Sequence, residues 1–91
     1  MPNNSETHSP SLSTIAREIH QDWRNVNYAA RPYLQAMSTL DTIHDHYGLD
    51  PATEIVNYFL CNASSWRGPV AKRVKAELKA LVASSYRHRG L

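Results

Sequence analysis

The sequence predicts an all-α protein, a small bundle of about four amphipathic helices behind a disordered N-terminal tail. Three observations predict it. Apolar residues recur at three- and four-residue spacing in four separate stretches. Turn and capping residues separate those stretches, and no convincing alternating run marks a strand. The length, 91 residues, allows a single domain with a modest core. The expected organisation is a tail over residues 1–10, a helical domain over 11–86 and a basic tail over 87–91.

The first helix begins at a cap, Ser11 or Ser13, and runs to about Val26. Leu12, Ile15, Ile19, Trp23 and Val26 share one face, with Ala16 beside them. A turn over Asn25 to Asn27 follows. Pro32 fits the first turn of a second helix, where its missing N–H costs nothing. That helix starts between Ala29 and Pro32 and extends to Tyr47 through Tyr33, Leu34, Met37, Leu40 and Ile43, with Gly48 as its left-handed stop. Asp50 is the expected cap of the third helix, with Pro51 first inside it and Glu54 near the positive end of the dipole. Ala52, Ile55, Val56, Phe59, Leu60 and Ala63 give that helix a broad apolar stripe, ending near Asn62. The fourth helix starts between Trp66 and Pro69 and runs to about Ser85, with Val70, Val74, Leu78, Leu81 and Val82 facing inward.

Charge is divided unevenly. Residues 1–63 carry three bases against seven acids, a net of −4, whereas residues 64–91 carry seven bases against one acid, a net of +6. Such a split builds either a binding face or a helix packed on acidic neighbours. On a helical wheel Lys72, Lys75 and Lys79 gather on one flank of the fourth helix, and Ala76, Ala80 and Ala83 fill the next sector. Arg73 and Glu77 can pair at i, i+4. The lysine row, with Arg67, Arg87 and Arg89, could neutralise nucleic-acid phosphates, although it offers little for reading base edges. The alanine row allows close approach of another backbone, expected to be a helix of the same chain, with a second copy as the alternative. A membrane-surface role is not expected, because the apolar face is needed for the core.

Other motifs carry less. Residues 40–55 resemble a helix-turn-helix spacing, but the turns that would enter the groove present Asp50, Thr53 and Glu54, which phosphates repel. His44 and His46 would point apart on a helix, leaving Asp41, His44 and Asp45 as an exposed flank rather than a metal site. Glycines stand at 48, 68 and 90 and make no phosphate cradle. No Ser-His-Asp signature is identifiable, and nothing marks Cys61 as activated. Neither an enzyme, a cofactor nor a metal is expected. With no long apolar run, no secretory pattern at the start and a lone Cys61, the expected setting is the cytoplasm.

Trp23 and Trp66 stand beside Arg24 and Arg67. Each is either core packing or an exposed aromatic anchor for a partner. The runs DWRNVNYAARPYLQAMSTLD and IVNYFLCNASSWRGPVAKRVKAELKAL resemble small helical proteins encoded by phages and mobile elements of Gram-positive bacteria. The resemblance covers residues 13–81 and implies an accessory gene that acts on a host. It carries no activity to any residue. The functional expectation is a non-enzymatic binding protein that contacts a protein partner through Trp66, Arg67, Lys72, Lys75, Lys79 and Arg87, with nucleic acid as the alternative ligand and a homodimer as one form of the partner.

Overall fold

The computed structural model describes residues 10–89, the last three as helical backbone. Four helices hold it together: α1 (Leu12–Asp22), α2 (Arg31–Met37), α3 (Ala52–Cys61) and α4 (Pro69–Arg89). A two-stranded hairpin, β1 (His46–Tyr47) and β2 (Asp50–Pro51), sits between α2 and α3. The helices pack as a ring: α1 touches α2 and α4, and α3 touches α2 and α4. The fold is thus mostly α, as the periodicity predicts.

Each buried face follows the sequence spacing. Helix α1 buries Leu12, Ile15, Ala16 and Ile19, and α3 buries Ala52, Ile55, Val56 and Phe59. Ser11 caps α1 by accepting the Thr14 N–H at 3.1 Å. The next two donors of that first turn also find partners. Leu12 N–H donates to the Asp41 carbonyl at 2.8 Å and Ser13 N–H to the Leu40 carbonyl at 2.9 Å. The N-terminal end of α1 is therefore tied to the chain beyond α2, and its orphan donors are satisfied.

The second helix is much shorter than its apolar spacing predicts. It ends at Met37 instead of Tyr47. Hydroxyls take over its last carbonyls: Ser38 Oγ donates to Gln35 O at 2.6 Å and Thr39 Oγ1 to Ala36 O at 2.8 Å. Further along, the Asp45 carboxylate accepts the N–H groups of Asp41 at 2.8 Å and Thr42 at 3.0 Å. Side chains that bond local backbone offer the chain an alternative to the helical ladder, and here they win. Leu40 and Ile43 still reach the core, from a turn rather than a helix.

Gly48 is not a helix stop. Its φ of +64° makes the first central position of the hairpin turn, and among the described residues no non-glycine residue has positive φ, which fits a type II′ connection. Tyr47 pairs with Asp50 and His46 with Pro51. Pro51, not Asp50, is the cap residue of α3 and makes no side-chain capping bond. The Asp45 carbonyl takes the first free donor of α3, from Ala52 at 2.8 Å. Residues 40–51 are thus a bonded link with a hairpin in it, leading into α3, and no helix-turn-helix forms.

At the far end α4 continues to Arg89, past the expected end near Ser85, because nothing between Ser85 and Gly90 breaks a helix and cations favour its C-terminal end. Part of the expected basic tail is therefore helix. Residues 1–9 of the expected disordered tail lie outside the described residues.

Asp45 gives the link a pH signature. Its two backbone hydrogen bonds, from Thr42 and then Asp41, hold its carboxyl below the ordinary carboxylate value. A depressed folded-state pKa contributes stability above the unfolded value and loses it as pH falls through the folded one. Asp45→Ala will lower the melting temperature at neutral pH. The gap from the parent will close as pH falls below about 4. A gap of constant size down to acid pH contradicts the role assigned to the carboxylate.

Candidate binding surface on the C-terminal helix

Helix α4 is positioned by an aromatic cluster at its base. Trp66 is 2% exposed. Its ring stacks on Trp23 with centroids 5.7 Å apart and planes 10° from parallel. Phe59 meets both indoles edge-on, at 6.1 and 6.3 Å. The Trp66 indole N–H donates to the Asp22 carboxylate at 2.8 Å. Gly68, at φ +110°, then turns the chain so that its carbonyl accepts the Lys72 N–H at 2.9 Å and α4 begins at Pro69.

This placement corrects the anchor reading of Trp66. A fully packed ring with its N–H bonded inside the fold offers no area to a partner. The same cluster claims Lys75. Its ammonium donates to the Trp66 carbonyl at 2.7 Å and lies 5.8 Å from the Trp66 ring centroid. Burial, with Lys79 and Arg67 nearby, pulls the Lys75 pKa below the ordinary lysine value. Lys75 is therefore a structural cation and not a free contact.

The remaining charges sort onto two flanks. On the α1 side, Arg73 is paired with Glu18 and lies 3.7 Å from Glu77, and these carboxylates raise its pKa. On the other flank Lys72 and Lys79 are exposed, as is Arg67 at the base. Among the described residues none of these three has an ion-pair partner. Arg67, Lys72 and Lys75 also line an open hollow of about 470 Å³ at the start of α4. Arg87 lies on the last turns of α4, and its side chain is outside the described residues.

Ala76, Ala80 and Ala83 are exposed, so the expected packing of the alanine row on a helix of the same chain does not occur. Ala71 fills the inward position instead. The outer surface of α4 is therefore cations set among short side chains. Among the described residues the acid of another helix that pairs with a base of α4 is Glu18 of α1, and Asp22 of α1 bonds Trp66 just before α4.

Several exposed apolar side chains escape a reading by helical periodicity. Leu49, 96% exposed, forms the hairpin tip beside Tyr47. Tyr28, Tyr58 and Tyr86 are also exposed. Tyr58 packs on Tyr33 at 5.3 Å, and the Tyr86 hydroxyl accepts a hydrogen bond from the Asn57 amide at 3.4 Å. Leu49 falls in the link between the predicted second and third helices, outside either apolar face, so periodicity gives it no role.

The HDH stretch forms part of the turn and hairpin, so Asp41, His44 and Asp45 share no helical flank. Among the described residues no group of three or more His, Cys, Asp or Glu is arranged to hold a metal ion. A larger concavity, about 660 Å³, lies between the start of α1, residues 41–44 and Leu81 and Ser84 of α4, with Asp41 and His44 at its wall. Cys61 is exposed on α3. No described helix is long and apolar enough to cross a membrane. Compared with protein-family models, with curated proteins and with solved structures, the chain matches none. What fold and surface define together is a small, mostly α-helical protein with a cationic flank on its longest helix.

The core role of Trp66 separates sharply from the surface role of its neighbour. Trp66→Ala will lower the free energy of unfolding by about 3–5 kcal/mol in urea titrations. Arg67→Ala will change it by no more than about 0.5 kcal/mol. Equal small effects for the two contradict this division.

Proposed function

We propose that this protein acts by binding rather than by catalysis, and that the cationic flank of α4 contacts the phosphate backbone of a nucleic acid. One observation carries the reading: Lys72 and Lys79 on one flank of α4 and Arg67 just before it are exposed, and among the described residues no acid pairs with them. Like charges held together raise the local potential and favour a polyanion over the free state. The exposed alanines beside them leave that side of the helix surface low, so a phosphate chain can come close. Contacts of this kind position a protein without reading sequence. A resemblance to proteins of phages and mobile elements suits a factor that handles host or element nucleic acid in the cytoplasm.

A protein partner is the second reading. The burial of Trp66 removes the anchor first assigned to it, and the observation that now favours a protein is Leu49, 96% exposed at the hairpin tip beside Tyr47. A second copy of the chain could serve as that partner.

The test is fluorescence anisotropy with a labelled duplex and a labelled single strand, titrated across a salt series. Three phosphate contacts give a slope of log K against log salt of about −2 to −3. The Lys72→Ala, Lys79→Ala double variant should weaken binding and flatten that slope to about −1 or less in magnitude. Failure of both probes to bind at low salt contradicts the reading and moves the search to the hairpin tip.

A further inference from the structure

Resting on the nucleic-acid reading, we infer that the ligand of α4 is a single strand, and that Tyr86 is the platform on which one of its bases stacks. Seven residues of helix advance almost two full turns, so Lys72, Lys79 and Tyr86 stand nearly in line, about 10 Å apart. The line spans about 21 Å. Ala76 and Ala83 are exposed in the neighbouring sector, about 40–60° round the helix, so short side chains flank the line of long ones. The row is cation, cation, ring, with alanines along one side of it.

Tyr86 is suited to the role by how it is held. It is 50% exposed, and the Asn57 amide bonds its hydroxyl from α3. One end of the ring is fixed between two helices while half of its surface stays in water. The residue after Asn57 is Tyr58, also half exposed and packed on Tyr33 of α2. A second half-exposed aromatic pair thus stands on α3 and α2, one residue along from the partner of Tyr86.

Duplex DNA keeps its bases stacked inside and offers its outer phosphates to cations. A duplex could use Lys72 and Lys79 but would leave Tyr86 and Tyr58 without a partner. A single strand presents phosphates and unstacked base faces together, and proteins that hold it combine cationic tracks with aromatic platforms in this way. Stacking needs no particular base, which fits a flank with little capacity to read base edges. Either a deoxyribose or a ribose strand supplies the shared chemistry.

The experiment uses the full chain with labelled oligo-dT, labelled oligo-rU and a labelled duplex of equal length at one low salt concentration. Both single strands, or one of them, should bind at least about 5-fold tighter than the duplex. Tighter binding by one of the two identifies the sugar of the ligand. Tyr86→Leu should weaken single-strand binding about 5-fold or more while leaving the salt slope unchanged, because stacking releases no counterions. Tyr86→Phe, which keeps the ring but loses the bond from Asn57, should weaken binding less than Tyr86→Leu does, and circular dichroism should show parent helicity in both variants. Two results overturn the inference while the phosphate reading survives: duplex bound as tightly as single strand, or Tyr86→Leu without effect where Lys72→Ala and Lys79→Ala weaken binding. Failure of every probe to bind overturns the reading beneath it.

Discussion

The contact of Trp66 with Trp23, Phe59 and Asp22 is the constraint on which the rest of the structure depends. Trp66 follows α3 and precedes α4, Trp23 and Asp22 end α1, and Phe59 lies within α3. Three helices therefore meet at one indole. The ring supplies apolar area that a chain of this size needs, and its N–H is bonded rather than stranded, which an indole requires when buried. Each aromatic pair adds about 0.5–1.5 kcal/mol beyond the area it covers. Without this cluster α4 would have no fixed origin, and its rotation about its own axis would be free to change.

That rotation decides the function proposed here. With Trp66 anchored, Val74, Leu78 and Val82 turn inward and Ala76, Ala80 and Ala83 turn out. The bases of α4 then separate by role. Arg73 is spent on Glu18 and Glu77, and Lys75 on the Trp66 carbonyl. Lys72 and Lys79 are left to solvent with Arg67. The excess of positive charge in the last third of the chain is thus partly internal glue and partly free surface. The free part is a line rather than a patch, and a linear polyanion is the ligand whose shape matches it.

Much of the fold was legible in the sequence. The apolar spacing of α1, α3 and α4, the Ser11 cap and the inward residues of all three follow from periodicity and local chemistry. The second helix shows where periodicity fails. Leu40, Ile43 and Tyr47 continue its spacing, but Ser38, Thr39, Thr42 and Asp45 each have a local backbone bond to offer, and spacing does not register that competition. The site was less legible. Lys72, Lys75 and Lys79 share a flank on a wheel, yet Lys75 lies about 40° or more nearer the apolar face. Only the Trp66 carbonyl, nine residues back, decides that it points inward. The fate of Trp66 depended on Asp22, 44 residues away. The outward turn of the alanines depended on a rotation that no local rule sets.

The most direct test of this account is hydrogen exchange of the Trp66 indole N–H, followed by NMR in heavy water. Bonded to Asp22 at the centre of the aromatic cluster, it should exchange only through global unfolding, with the same free energy as the slowest core amides of α3. Exchange within the dead time would show that the indole reaches solvent in the native state. The anchoring of α4, and with it the placement of its cationic flank, would then be wrong.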